Sequence, residues 1–278
     1  MSNTPPERGL RTPPSAEDAT AHEPAAAPLV LALDTATDAR GVAVSKGGRV
    51  LSLRSEPAGA SGASLVLSQI DAALGEAGVS FAELELFAVA TGPGSFTGLR
   101  AGLATVKAFA AVTGRPVAAV PTLHAVALAA GASECTVAAI PAGRGEVFAQ
   151  LLRVAPDGAV EELTRAAHVK PATLVEEVRE LSDKARWVGG GAAAHRELIG
   201  QGAERAGLPW RELTTREAGA SPPAQPGWSL VAPVEGYAVQ VALLGLISLG
   251  KGLTVDAEAL QAIYVRPSDA ELKERCHA

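Results

Sequence analysis

The segment from residue 86 to residue 120 constrains the fold more than any other part of the chain. The apolar run over residues 86–90 predicts a buried strand, and the glycine-rich turn Thr91-Gly92-Pro93-Gly94-Ser95-Phe96-Thr97-Gly98 follows it. Residues 98–112 predict a helix that Gly114 and Pro116 end, and residues 117–120 predict a second strand. Two strands joined through a helix in this way predict parallel pairing with a right-handed crossover. The segment therefore predicts an α/β protein.

Short strands and one helix precede this unit. Residues 29–33, 41–45 and 49–54 predict a three-stranded meander, because each is a short apolar or alternating run bounded by turn residues. Residues 64–77 predict a helix with one apolar face. Together these elements predict a first lobe over residues 29–133.

The remaining chain predicts a second lobe over residues 134–278. Residues 136–140 and 146–153 predict strands, and residues 171–181, 192–206 and 237–249 predict helices. Residues 221–233 are rich in proline and predict an irregular loop. Residues 1–28 are rich in proline and alanine and predict a disordered leader. We expect two α/β lobes, the second of them short, that meet at a cleft.

Composition excludes several classes of function. The 278 residues carry a formal net charge of −6, which argues against a protein that grips nucleic acid unaided, since phosphate binding needs clustered lysine and arginine. The two cysteines, Cys135 and Cys276, form neither a metal-ligand pair nor a disulfide framework. No run approaches the ~18 apolar residues that a membrane span requires. We therefore expect a soluble, cytoplasmic protein.

Two features could contact a phosphate. Gly94 and Ser95 stand at the start of the predicted helix, whose free N–H groups can bind an anion. The alternative is a purely structural turn in which Ser95 caps the helix. Asp34 and Thr35 end the first strand and could hold a metal-bound nucleotide phosphate, but the carboxylate could equally hydrogen-bond its own turn.

The chain offers no evident catalytic or metal-binding set. The histidines stand apart from one another, and no zinc-protease, serine-hydrolase or cysteine–histidine motif occurs. The helix over residues 98–112 is apolar nearly all round, which places it either inside the core or against a partner. Lys107 could lie at a solvated edge or contact that partner. We predict no catalytic residue and no metal ligand.

Three stretches of the sequence resemble one family. They are Leu31-Ala32-Leu33-Asp34-Thr35-Ala36-Thr37, Gly92-Pro93-Gly94-Ser95-Phe96-Thr97-Gly98-Leu99-Arg100 and Gly114-Arg115-Pro116-Val117, and all three are similar to the bacterial TsaB (YeaZ) family. Tyr264-Val265-Arg266 near the C-terminus is similar as well. The resemblance implies a two-lobed fold of the actin, Hsp70 and sugar-kinase type.

The resemblance also implies a function and partners. Members are regarded as non-catalytic dimerisation subunits that activate a related protein, TsaD, which with the ATPase TsaE attaches a threonylcarbamoyl group to an adenosine beside the tRNA anticodon. The resemblance implies that the chain forms a homodimer in isolation. It also implies that ATP or ADP and metal are held only by the partners or at their interface, and that tRNA is contacted only through the complex. The implied interface lies on the helices over residues 64–77 and 98–112. The residues predicted for it are Val66, Ile70, Leu74, Leu99, Leu103, Val106, Lys107 and Ala110.

The same resemblance bears on catalysis. The catalytic relatives carry a metal-binding His-x-x-x-His after the strand that matches residues 117–120, and alignment on that strand places Thr122 and Val126 at the two histidine positions. Neither side chain offers the imidazole that iron or zinc prefers. Two alternatives stay open, namely an independent small-molecule kinase of the same fold, resting on Asp34 and the glycine-rich turns, and a metalloprotease.

Overall fold

The computed structural model describes residues 27–55, 63–220, 225–232 and 234–265. The predicted leader up to residue 26, Cys276, Arg266, and residues 221–224 and 233 of the predicted loop lie outside the described residues.

The first lobe contains a five-stranded sheet in the order β3-β2-β1-β4-β5. Its strands are β1 (Leu29–Asp34), β2 (Gly41–Lys46), β3 (Arg49–Ser55), β4 (Leu86–Ala90) and β5 (Val117–Val120). Strand β1 pairs antiparallel with β2 and parallel with β4, and β4 pairs parallel with β5. The predicted meander and the predicted parallel crossover are therefore confirmed.

Helices cover both faces of this sheet. Helices α1 (Ala63–Ala77) and α2 (Phe96–Thr113) pack on one face, where Leu31 and Leu33 of β1 join Ile70 and Val106 in one apolar cluster. Val30 of β1 points to the opposite face, because successive side chains of a strand alternate. Burial on both faces explains why β1 and β4 are continuous apolar runs.

The second lobe contains a seven-stranded sheet with the path β11-β12-β10-β6-β7-β8, and β9 pairs with β7. Its strands are β6 (Ser133–Gly143), β7 (Glu146–Val154), β8 (Val160–Glu162), β9 (Ala167–Val169), β10 (Lys184–Val188), β11 (Trp210–Leu213) and β12 (Gly227–Val231). The helices that follow α2 are α3 (Thr122–Leu128), α4 (Pro171–Leu181), α5 (Gly190–Ala194), α6 (Arg196–Arg205), α7 (Thr215–Ala220) and α8 (Ala238–Gly250). The two-lobed α/β fold class is confirmed.

The predicted irregular segment contains a strand. Strand β12 lies within residues 221–233 and pairs in parallel with β10 on one side and β11 on the other. Its Trp228 and Leu230 are buried, so this strand is central to the sheet despite the prolines before it. The predicted helix over residues 192–206 is likewise divided, because α5 and α6 meet at His195. The second sheet therefore has seven strands, whereas the first has five.

Helix α8 joins the two lobes. It lies within residues 134–278 but packs on β1, β2, β4 and β5 of the first sheet. Gly245 allows this close packing, since a side chain there would press on Ala88 of β4. No helix in the described part of the chain is long and apolar enough to cross a bilayer.

Arg186 of β10 is a buried cation that no local sequence pattern predicts. Its Nη1 donates to the carbonyl oxygens of Ala130 at 2.7 Å, Ala132 at 3.0 Å and Ala218 at 2.9 Å. Burial lowers the pKa of this guanidinium below its ordinary value. Through these hydrogen bonds the side chain holds the connection before β6, and the end of α7, against the second sheet.

Candidate functional site

A cavity of about 300 Å³ opens between the two lobes. Residues 36–38 after β1 and residues 94–96 at the start of α2 form its first-lobe wall, and residues 140–143 with Phe148 form its second-lobe wall. Most of the lining residues are small or apolar, and the polar ones are Thr37, Asp38 and Ser95. The cavity is the place where a small ligand could lie.

The glycine-rich turn directs α2 toward this cavity. The Ser95 Oγ accepts a hydrogen bond from the Gly98 N–H at 3.3 Å, and the Ser95 N–H donates to the Ala36 carbonyl at 2.7 Å. Gly94 lies so close to the Ala36 carbonyl that any side chain there would collide with it. Of the four predicted phosphate contacts, Gly94 and Ser95 do line the cavity, and Ser95 caps the helix.

Asp34 lies beneath the cavity and does not line it. Its Oδ1 accepts from the Ala36 N–H at 2.9 Å and the Thr37 N–H at 3.3 Å, and its Oδ2 accepts from the Thr37 hydroxyl at 2.6 Å. Burial raises the pKa of this carboxyl above its ordinary value, against the opposing effect of the Thr37 hydrogen bond. The carboxyl group thus holds its own turn, which was the structural alternative for this residue.

Thr35 also points away from the cavity. Its hydroxyl is buried without a hydrogen-bond partner and lies against Gly102 of α2. Asp34 and Thr35 were predicted as phosphate contacts because they follow a buried strand, but that position does not show which way a side chain turns. The prediction for these two residues is therefore corrected.

Tyr237 is a neighbour of Asp34 that sequence reasoning missed. The side chain is 3% exposed and precedes α8. Burial and the nearby charge of Asp34 both raise the pKa of this phenol above its ordinary value. The only sequence signal was an aromatic residue immediately before a strongly apolar helix, which does not identify a site.

Thr122 and Val126 have structural roles. Thr122 is fully buried; its Oγ1 accepts from the Gly92 N–H at 3.0 Å, and its N–H donates to the Gly92 carbonyl at 2.8 Å. Val126 is fully buried against Gly189. His124 lies between them in sequence, and its Nε2 is 3.1 Å from Glu162 Oε1. Within the described ranges no group of three or more histidine, cysteine, aspartate or glutamate residues could hold a metal ion.

Most of the predicted interface residues are buried in the chain's own core. The buried residues are Ile70, Leu74, Leu99, Leu103, Val106 and Ala110. Val66 and Lys107 are partly exposed. The choice of these six buried residues is corrected, since the apolar stripe of a surface helix faces the sheet on which it packs, and Val66 and Lys107 stay predictions.

Other residues form the solvent side of α1 and α2. We define the outer face of these helices by the exposed residues Leu67, Asp71, Ala72, Gly75 and Glu76 of α1 and Phe96, Arg100, Ala104, Ala108 and Ala111 of α2. This face is where a partner could bind the two helices.

Comparison with known proteins identifies relatives of this chain. The family model described as TsaD, tRNA N6-adenosine threonylcarbamoyltransferase, matches residues 56–198. The tRNA threonylcarbamoyladenosine biosynthesis protein TsaB of Escherichia coli is 31% identical over 173 residues, which cover 61% of this chain and 74% of that protein. A tRNA N6-adenosine threonylcarbamoyltransferase of Aeropyrum pernix is 35% identical over 115 residues, but these cover only 36% of this chain and 32% of that protein.

A solved structure shows the same fold. YeaZ from Pseudomonas aeruginosa superposes with a TM-score of 0.64 at 24% identity, covering 85% of this chain and 99% of that one. The match runs through both lobes, and the similarity to the Escherichia coli protein extends over three quarters of its length. The chain therefore belongs to the TsaB (YeaZ) family.

Proposed function

We propose that this protein is a non-catalytic subunit of the machinery that makes threonylcarbamoyladenosine in tRNA, and that it binds and activates a TsaD-like threonylcarbamoyltransferase. Membership of the TsaB family supports a role in this biosynthesis. The Aeropyrum pernix relative carries the name of the transferase itself, so the chain is related to the enzyme that it is proposed to activate.

The surroundings of Thr122 carry the proposal. The resemblance to the catalytic relatives implies that this residue stands where they have the first metal-binding histidine, and both its hydroxyl and its N–H are used to hold Gly92. Val126, which the resemblance places at the second histidine, is fully buried. Asp34 is also enclosed by hydrogen bonds from its own turn. These residues stabilise the fold, and transferase chemistry is assigned to the partner.

The outer face of α1 and α2 is the proposed binding surface. Its small residues Gly75, Ala104 and Ala108 would let another pair of helices approach closely. The proposal includes a homodimer in the absence of other subunits and a heterodimer with the TsaD-like protein through the same face. ATP or ADP and metal would be held by the TsaD-like and TsaE-like proteins, and tRNA would be reached through the complex.

Reconstitution of the modification tests this function. The TsaD-like and TsaE-like proteins of the same organism would be assayed on tRNA, with ATP and an activated threonylcarbamoyl donor supplied in every arm: with this chain, without it, and with this chain alone. Modification should require all three proteins, and the chain alone should yield none. Full modification in its absence would overturn the proposal.

A matched pair of variants tests the surface. Ala108→Arg places a large charged side chain in the middle of the outer face and should abolish stimulation. Leu181→Arg, at a 64% exposed position of α4 on the other lobe, should leave stimulation unchanged. Equal stimulation by both variants would exclude the outer face as the binding surface.

A further inference from the structure

An exposed cluster of aromatic and cationic side chains lies at the start of α2. The rings of Phe96 and Tyr264 have centroids 5.7 Å apart, and the Arg100 guanidinium carbon lies 3.9 Å from the centroid of the Phe96 ring. Phe96 is 42% exposed and Tyr264 is 52% exposed. We call Phe96, Arg100 and Tyr264 the aromatic patch.

The chain holds Tyr264 in place through the residues before it. The N–H and carbonyl of Val255 exchange two hydrogen bonds of 2.8 Å with Val117 of β5, and Leu260 is fully buried in the cluster under α1 and α2. The Ile263 N–H then donates to the Thr91 carbonyl at 2.7 Å. The patch is thus built from two distant parts of the chain and is ordered before any partner binds, which lowers the entropic cost of binding.

The charged side chains of α2 itself are positive. The helix carries Arg100 and Lys107 and no acidic residue. No carboxylate of the described residues forms an ion pair with either of these cations. An apolar surface that presents a carboxylate to Arg100 would therefore complement the patch in shape and charge.

The patch is continuous with the outer face. Phe96, Arg100, Ala104 and Ala108 follow one another at intervals of four residues and form one row along α2. Aromatic and arginine side chains are enriched among the residues that provide most of the binding free energy of protein interfaces. Alanines mainly allow the partner to approach the helix closely. The strongest contacts on this row should thus come from its N-terminal end.

The charge of the chain disfavours a nucleic acid as the occupant of the row, because the net charge is −6 and the helix carries only two cations.

We propose that the aromatic patch is the main energetic contact of the partner interface and that its occupant is an apolar, carboxylate-bearing surface of the TsaD-like protein. The inference rests on the proposed function and adds which residues provide affinity and which chemistry they recognise. It assigns this role to residues outside the set predicted from the sequence.

Calorimetric titration with the purified TsaD-like protein tests the patch. Phe96→Ala and Tyr264→Ala should each weaken binding at least about tenfold, as interface hot spots do. Arg100→Glu should weaken it further, because it would repel the expected carboxylate. Tyr264→Phe keeps the ring and should bind like the unchanged protein. Because these side chains are exposed, thermal unfolding of each variant should match that of the unchanged protein.

The outcomes separate this inference from the proposed function. If tRNA modification requires the chain but all patch variants bind the TsaD-like protein within twofold of the unchanged protein, the inference is overturned and the proposed function stands. Loss of homodimerisation or of tRNA binding with unchanged TsaD-like binding would also overturn it, since the occupant would then be another molecule. If the chain is dispensable for modification, the proposed function itself fails.

Discussion

The carboxyl group of Asp34 illustrates how one residue can resemble a ligand in sequence and serve the fold in space. It stands at the carboxyl end of a central strand, but all three of its recorded hydrogen bonds come from the two residues Ala36 and Thr37. The turn that it stabilises carries the Ala36 carbonyl, which accepts from Ser95 at the start of α2. Asp34 thus supports the cavity wall from behind.

Replacement of Asp34 should therefore affect stability according to the hydrogen bonds that survive. Asp34→Ala leaves two buried N–H groups without their acceptor and should lower the free energy of unfolding by about 2 kcal/mol or more. Asp34→Asn retains an acceptor oxygen for both N–H groups and should stay within about 1 kcal/mol of the unchanged protein. Urea unfolding at pH 7 measures both, and equal losses would show that the turn does not depend on these bonds.

The raised pKa of Asp34 predicts the sign of a pH effect. Between the ordinary value of 3.8 and the raised value in the folded protein, the folded state binds the proton more tightly than the unfolded state does. The free energy of unfolding contributed by this group therefore falls as the pH rises through that window. Asp34→Asn should lack this contribution. The free energy of unfolding of this variant, relative to that of the unchanged protein, should therefore increase as the pH rises through the window.

At the scale of elements, the position of α2 is set by two glycines on its inner side. Gly98 lies against the Thr35 carbonyl and Gly102 against the Thr35 side chain, so the helix contacts the end of β1 almost backbone to backbone. The αL conformation of Gly114 ends the helix with its N–H donated to the Ala110 carbonyl. This close packing of α2 on the end of β1 sets the orientation of the outer face and of the aromatic patch.

Two glycine-to-alanine substitutions separate the effect of helix propensity from the effect of close packing between α2 and Thr35. Gly75→Ala lies in α1 with open space around a new Cβ and should stabilise the protein by about 0.5–1 kcal/mol. Gly102→Ala has the same propensity but would collide with the Thr35 hydroxyl, so it should destabilise by about 1–3 kcal/mol. Thermal unfolding would compare them, and stabilisation by both would contradict the observed contact between Thr35 and α2.

At the scale of the whole molecule, the two lobes share a core. One apolar cluster contains Val30 and Ala88 of the first sheet, Ile140 and Leu152 of the second, and Val241 of α8. Separation of the lobes would expose this cluster. Unfolding of either lobe would therefore expose apolar surface of the other lobe to water.

The shared core predicts cooperative unfolding. Scanning calorimetry of the full chain should show one transition in which the calorimetric and van't Hoff enthalpies agree. Truncation of the α8 core contact by Val241→Ala should lower that transition as a whole. Two separate transitions, or a shift of only one of them, would show that the lobes unfold independently.

The sequence by itself determined the family, the fold class and the elements of the first lobe, because these follow from local patterns. The glycine-rich turn with its flanking strands, and the short apolar runs before it, predict β1 to β5, α1 and α2 with nearly their observed bounds. Gly47 and Gly78 have a positive φ, which glycine readily adopts, so the chain reversals at these two positions also follow from the local sequence.

The tertiary structure alone decided which sides of these elements meet. Periodicity showed an apolar stripe on α1 and α2 but not that Ile70 and Leu103 would face their own sheet, leaving Phe96 and Arg100 outside. Tyr264 lies next to Phe96 although 168 positions separate them in the chain, and β12 is a strand because β10 and β11 pair with it. Such contacts join residues far apart in sequence, so their side-chain directions depend on the packing of the whole fold.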